Sequence, residues 1–195
     1  MAIGYFFPTV IFSEENAGLA HKMLPLAKEF LQNDSYLTNE WGYKNTYNNN
    51  NFNTDENHKK IDPFLKYVKE KAIQYLDNSG YDYKRIQIKD IQVFVSEMVE
   101  NDSHDQHTHP NCILSGLLYL QVPEGSSKIV FLDPRPYKSI IDMPKKKENY
   151  LNSQAIYFDP KPGLFLMWES WIPHAVPKNH SNGRITMVYN IIGSW

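Results

Sequence analysis

The sequence predicts an α+β fold that is mainly β, with helices in its first half and a β-sandwich or barrel behind them. Three observations predict it. Two segments within residues 1–84 repeat apolar residues at helical spacing. From Arg85 onward the chain turns to short β-branched and aromatic runs parted by turn residues. No internal repeat and no apolar stretch of membrane-spanning length points to another architecture. The expected organisation is one domain over 1–195, with the strand, helices and Asn-rich loop of 1–84 preceding a β core at 85–195.

Tyr5 to Phe12 is expected to be a short strand, at a sheet edge because Pro8 interrupts it. Glu14 to Gln32 has the apolar spacing of a helix through Leu19, Met23, Leu26, Phe30 and Leu31. Ser13 is its expected N-cap, two acidic residues follow, and Pro25 is expected to kink or split it. Tyr36 to Asn57, with Asn48 to Asn51 at its centre, is expected to be a solvated connecting loop. Asp62 to Asn78 is a second helix, capped by Asp62 with Pro63 in its first turn. Phe64, Val68, Ala72, Ile73 and Leu76 are its core stripe. The expected strands are Ile86 to Val99, Cys112 to Val122, Lys128 to Leu132, Gln154 to Phe158, Gly163 to Trp168 and Arg184 to Ile192. Asp142 to Asn152, with its three consecutive lysines, is expected to be a solvated charged excursion.

The 195 residues suffice for a sizeable core, and a formal net charge of −2 argues against binding to nucleic acid or an anionic membrane. Cys112 is the single cysteine, so no intrachain disulfide forms, and a reducing cytoplasm, of an organism or of a virus-infected cell, is the expected compartment. The N-terminal residues lack the basic and apolar regions of a signal peptide.

The chemistry centres on His107-Thr108-His109-Pro110. In extended backbone, residues two apart face the same side, so His107 and His109 present two imidazoles to one point. Neutral imidazole is the commonest protein metal ligand and suits iron, zinc, copper and nickel. A distant third ligand is available in His174. Along the strand that follows, Ser115 and Tyr119 share the histidines' parity, while Cys112, Leu114, Leu118, Leu120 and Val122 form an apolar face. The last strand repeats this pattern: Arg184, Thr186 and Asn190 face one way, and Ile185, Met187, Tyr189 and Ile191 the other. Polar faces of this kind line a wet cavity or meet solvent. Arg184, always charged and forked, is the donor a carboxylate ligand prefers. The inventory is that of a metal site with a carboxylate co-substrate.

The segments 107–120, Phe131-Leu132-Asp133-Pro134-Arg135, 168–177 and 184–190 resemble the iron(II)/2-oxoglutarate oxygenases of bacteria and phages. That family is a branch of the dioxygenases with a double-stranded β-helix, or jelly-roll, which includes the prolyl hydroxylases. The resemblance covers roughly Ile91 to the C-terminus. It implies a double-stranded β-helix core with the N-terminal helices packed on it. It also implies iron(II), 2-oxoglutarate as co-substrate, dioxygen, and ascorbate as an accessory reductant. By this resemblance His107 and His174 are metal ligands. Arg184 holds the co-substrate carboxylate, with Tyr119 hydrogen-bonding near it and Ser115 and Asn190 on the same cavity face. The wider superfamily has Asp or Glu where this chain has His109. His109 is taken as the second ligand, and Asp105 and Asp133 are the carboxylates that could replace it. The implied reaction is hydroxylation of a C–H bond, and by analogy the substrate is a protein or peptide side chain such as proline.

Two rivals stay open at this stage. One is a cupin-like metalloprotein with a three-histidine site that does not use 2-oxoglutarate, and the other is a non-catalytic jelly-roll binding module. Oligomeric state is not specified by the sequence. His104 and His180 have no matching family position and are expected at the surface. Asp133 and Arg135 are expected to form a local ion pair. Trp168, Trp171 and Trp195 are expected in wall and core, and Trp41 is the tryptophan placed to meet a substrate.

Overall fold

The computed structural model describes residues 7–33, 36–37, 43–47, 54–135, 140–141 and 143–195. Tyr5, Phe6, Trp41, Asn48 to Asn51 and Asp142 lie outside the described residues. The elements are β1 (Ile11–Glu15), α1 (Ala17–Asn33), β2 (Tyr36–Leu37), β3 (Lys44–Asn45), α2 (Asp55–Lys60) and α3 (Asp62–Asn78). There follow β4 (Gln87–Met98), β5 (His104–His107), β6 (Leu114–Gln121), β7 (Ile129–Leu132), β8 (Ala155–Phe158), β9 (Leu164–Glu169), β10 (His174–Val176) and β11 (Arg184–Ser194). Among the described residues the strands form two antiparallel sheets. The major sheet runs β1-β9-β6-β11-β4-β3-β2 and the minor one β5-β10-β7-β8.

The two faces of the major sheet explain the alternation in its strands. Leu114, Leu118 and Leu120 of β6, Phe165 and Met167 of β9, and Met187, Tyr189 and Ile191 of β11 pack beneath the helices. Leu117, Tyr119, Leu166 and Trp168 point the other way and meet Ile129, Phe131 and Val176 of the minor sheet. The helices and the minor sheet therefore cover opposite faces of one sheet, and the three histidines and Arg184 lie on the minor-sheet side. The helices are stripes against this layer: Ala20, Met23, Ala27, Phe30 and Leu31 of α1, and Phe64, Val68, Ala72, Tyr75 and Leu76 of α3.

The N-terminal half departs from expectation in register. Ser13, Glu14 and Glu15 belong to β1, which pairs with β9 as an edge strand. The helix begins after them, with Asn16 Oδ1 accepting the Leu19 N–H at 3.0 Å. An Asn side chain in β-region backbone caps as well as Ser, and β9 offers Glu14 and Glu15 ladder partners that an acidic first turn does not replace. Pro25 lies on the exposed side of α1 and the helix continues through it. Ile61, not Asp62, is the cap of α3, and Ile73 is partly exposed where Tyr75 fills the stripe. The connector from Tyr36 is not wholly loop. β2 and β3 extend the major sheet beside β4, and α2 forms with Thr54 accepting the Asn57 N–H at 3.2 Å. Trp171 and Trp195, placed in the wall by sequence, are 52% and 85% exposed. Trp168 is buried as expected.

One glycine is fixed by packing. Tyr189 Oη donates to the Leu166 carbonyl at 2.8 Å, directly over Gly116. A Cβ at Gly116 would come within 2.1 Å of that oxygen and 2.2 Å of the carbonyl. Gly116→Ala is therefore expected to cost about 2 kcal/mol or more by overpacking. A thermal midpoint lowered by about 5 °C or more would show it, and an unchanged midpoint would mean that the β6–β9–β11 rung is loosely packed.

Candidate metal centre

Three strand ends meet at one end of the space between the sheets. β10 pairs with β5, His174 opposite His107, and with β7, His174 opposite Phe131. The β5 ladder ends at His107, and a turn follows at Pro110 and Asn111. Asn111 takes φ 66°, a left-handed conformation that asparagine tolerates, and the His109 N–H donates to the Ser170 carbonyl at 2.9 Å. The His107 and His109 rings lie with centroids 5.0 Å apart. The ligand atoms of His107, His109 and His174 all lie within 4.8 Å of one another. Among the described residues this is the cluster able to hold a metal ion, and neither Asp105 nor Asp133 belongs to it. Asp105 is exposed, and the Asp133 carboxylate receives Arg135 Nε at 2.8 Å and Nη2 at 2.6 Å, the local pair expected from sequence.

The donor set fits a divalent first-row ion. His107 Nδ1 donates to the Asp105 carbonyl at 2.7 Å and His174 Nδ1 to the Ile172 carbonyl at 2.9 Å. Each bond turns the ring and leaves Nε2 as the lone-pair nitrogen, as backbone carbonyls do for metal-bound histidines. Nε2 of His109 and His174 are 3.1 Å apart. Two nitrogens about 2.1 Å from one ion and at right angles to each other would be about 3.0 Å apart. Burial holds His174 and His109 down, to about 3 and about 4, and the neighbouring imidazoles add to the effect. Burial lowers His107 as well, against its bond to Asp105. The rings are accordingly neutral at physiological pH, the form that ligates.

His104 corrects the sequence reading. It is not a surface histidine: its ring stacks on that of His107 with centroids 3.9 Å apart, and Nδ1 lies 3.1 Å from Tyr43 Oη. Burial, then His107 and His174, lower its pKa to about 3. The cause is a bulge. Three residues of β10, His174 to Val176, oppose four of β5, His107 to His104. The extra residue reverses parity, so residues three apart share a face. Alternation alone could not find it, and Tyr43 comes from a segment that composition marks as loop. His180 is exposed, as expected.

Arg184 begins β11 on the minor-sheet face and is 2% exposed. Nη2 donates to Tyr119 Oη at 3.2 Å, Nε to the Ser127 carbonyl at 3.3 Å, and Nη1 approaches Met98 Sδ at 3.5 Å. Among the described residues no carboxylate pairs with it. A buried guanidinium without an anion is costly, and an anionic ligand would relieve it. Ser115 Oγ donates to Asn190 Oδ1 at 2.8 Å and lies 2.7 Å from Ser170 Oγ. Thr186 is held by Ser96 at 2.8 Å. The polar parity read from β6 and β11 is therefore a buried, hydrogen-bonded face turned toward the minor sheet, and Ser170 is a member that parity did not indicate.

Residues 92–190 match the family model described as "Putative 2OG-Fe(II) oxygenase". No curated protein matches the chain in sequence. Among solved structures, a Pseudomonas putida prolyl-4-hydroxylase is 11% identical, with TM-score 0.67 over 94% of this chain and 92% of that one. The epimerase SnoN from nogalamycin biosynthesis, in complex with Fe3+, alpha ketoglutarate and nogalamycin RO, is 12% identical, with TM-score 0.63 over 94% of this chain and 79% of its own. A Trichoplax adhaerens prolyl hydroxylase, in complex with a hypoxia-inducible-factor peptide fragment, is 12% identical, with TM-score 0.60 over 93% of this chain and 83% of that one. At such identities the likeness carries the fold, the double-stranded β-helix. No helix of the described residues is long and apolar enough to cross a membrane. With the family model spanning half of its length, the chain belongs to the 2OG-Fe(II) oxygenase family, enzymes that work with iron(II) and 2-oxoglutarate.

Proposed function

We propose that the protein hydroxylates a C–H bond of a protein or peptide side chain, proline being the first candidate, with iron(II) held by His107, His109 and His174 and 2-oxoglutarate by Arg184. The observation that carries this reading is Arg184, a buried forked cation with no carboxylate partner among the described residues, on the same minor-sheet side as three converging imidazoles. When bound, iron(II) with 2-oxoglutarate and dioxygen supplies the oxidising chemistry that puts one oxygen atom into the substrate and leaves succinate and carbon dioxide.

The chain's own residues bind, orient and exclude water. Arg184 pairs with the far carboxylate of 2-oxoglutarate, and Tyr119, already hydrogen-bonded to Arg184, sets its fork. The carbonyls of Asp105 and Ile172 hold the His107 and His174 rings in the tautomer that ligates. Ser115 and Asn190, tied to each other and to Ser170, line the polar side. Leu117, Phe131, Leu166 and Ile172 form the dry side, which keeps the oxidant from water.

His109 stands where the superfamily has a carboxylate. Three neutral ligands leave a divalent ion its full charge, and the dianionic co-substrate offsets it. His109→Asp is expected to keep or raise 2-oxoglutarate turnover and His109→Ala to lose most of it, measured as succinate released. A fully active His109→Ala enzyme would move the second ligand to Asp105, Asp133 or water. The substrate is tested by mass spectrometry of proline-containing peptides after incubation with iron(II), 2-oxoglutarate and ascorbate. Gain of one oxygen on proline supports the reading, and coupled turnover on a non-peptide substrate alone overturns it.

A further inference from the structure

Trp168 carries a hydrogen-bond donor that the fold leaves unused. Its Nε1 is buried and, among the described residues, is the buried side-chain polar atom without a hydrogen-bond partner. Buried donors in native proteins are nearly always paired, and each orphan needs a reason. The indole lies on the minor-sheet face of β9, opposite Ser115 on β6 and Ile11 on β1. Ser115 Oγ is engaged with Ser170 and Asn190, and the indole N–H makes no bond to it. Its ring meets the His174 ring at 4.8 Å and 66°, and the Phe131 ring at 4.9 Å and 75°.

The ladder register fixes its place relative to Arg184. Trp168, Ser115 and Asn190 form one rung of β9, β6 and β11. Tyr119 and Thr186 form another, two same-face steps along β6 and next to Arg184. A ligand with one carboxylate on Arg184 and the other at the histidine cluster would place its second carboxylate beside His174, whose ring the Trp168 indole meets at 4.8 Å.

We propose that the Trp168 indole N–H donates a hydrogen bond to the metal-proximal carboxylate of the co-substrate. The proposal rests on the reading that 2-oxoglutarate binds between Arg184 and the three histidines. A charged acceptor in a dry cavity gives the donor a stronger bond than water would. The rival account is an N–H directed at the ring face of Phe131 or His174, a weaker contact that a ligand would not change.

The test uses the full chain labelled with 15N-tryptophan and loaded with Zn(II), without oxygen. The Trp168 indole signal is identified by its loss in Trp168→Phe, which keeps an aromatic ring in the wall. Should that variant fail to fold, the signal is assigned by elimination from Trp41→Phe, Trp171→Phe and Trp195→Phe. The expected result is a downfield shift of the indole proton on adding 2-oxoglutarate, beyond any shift caused by Zn(II) alone. Trp168→Phe is expected to bind 2-oxoglutarate about tenfold or more weakly, the worth of one charge-assisted bond, with Zn(II) affinity unchanged. An indole proton that does not move with 2-oxoglutarate, that moves fully with Zn(II) alone, or a Trp168→Phe protein of wild-type affinity overturns the proposal. If wild type binds no 2-oxoglutarate at all, the functional reading falls first and takes this inference with it.

Discussion

Arg184→Ala is expected to raise the dissociation constant for 2-oxoglutarate about ten- to a hundredfold. A charge-assisted hydrogen bond is worth roughly 1.5–3 kcal/mol, and 1.4 kcal/mol is a decade. The guanidinium is buried, so no water of comparable strength replaces it. Arg184→Lys should recover part of the loss, because it keeps the charge and loses the fork that Tyr119 aligns. Metal affinity without co-substrate should hardly change, since Arg184 is not in the histidine cluster. Calorimetric titration of both ligands into wild type and the two variants gives the answer. Equal 2-oxoglutarate affinity in all three would make Arg184 a structural residue and revive the cupin-like reading.

The other large effect belongs to the metal. His107→Ala and His174→Ala should each lower iron(II) affinity by on the order of a hundredfold or more, since loss of an orienting outer-shell partner alone costs 10–100-fold. Both histidines have an Nδ1–H committed to a backbone carbonyl, so each variant removes a pre-aligned ligand rather than a mobile one. The thermal stabilisation that a bound metal gives should vanish with it. Wild-type iron affinity in both variants, measured by calorimetry, would show that the ion binds elsewhere.

Much of this site could be read from residue order because antiparallel strands impose a period of two. Ser115 and Tyr119 on β6, and Arg184, Thr186 and Asn190 on β11, are buried on the face toward the minor sheet, and their neighbours pack under the helices. The pattern failed where the backbone breaks the period. The β5 bulge turned His104 onto the face of His107, and no count of alternating residues reveals a bulge. His107 and His109 converge as residues two apart are expected to, although β5 itself ends at His107. At the N-terminus, the helix start was misplaced because Ser13 followed by two glutamates has the composition of a cap and first turn. The edge of β9 claimed that segment as a strand, and Asn16 capped the helix instead. The exposed Trp171 was missed because its Nε1 bonds to Glu169 at 2.6 Å near the surface, a contact that hydrophobicity does not register. That Trp168 has no partner for its N–H among the described residues is a property of packing and has no signature in sequence.

The most direct test of the account is an anaerobic titration of iron(II) and then 2-oxoglutarate into the wild-type chain, followed by calorimetry. The account predicts one iron(II) per chain, then one 2-oxoglutarate per bound iron, with 2-oxoglutarate binding strongly weakened when the metal is withheld. Binding of 2-oxoglutarate that ignores the metal, or a metal-loaded protein that binds none, would contradict it.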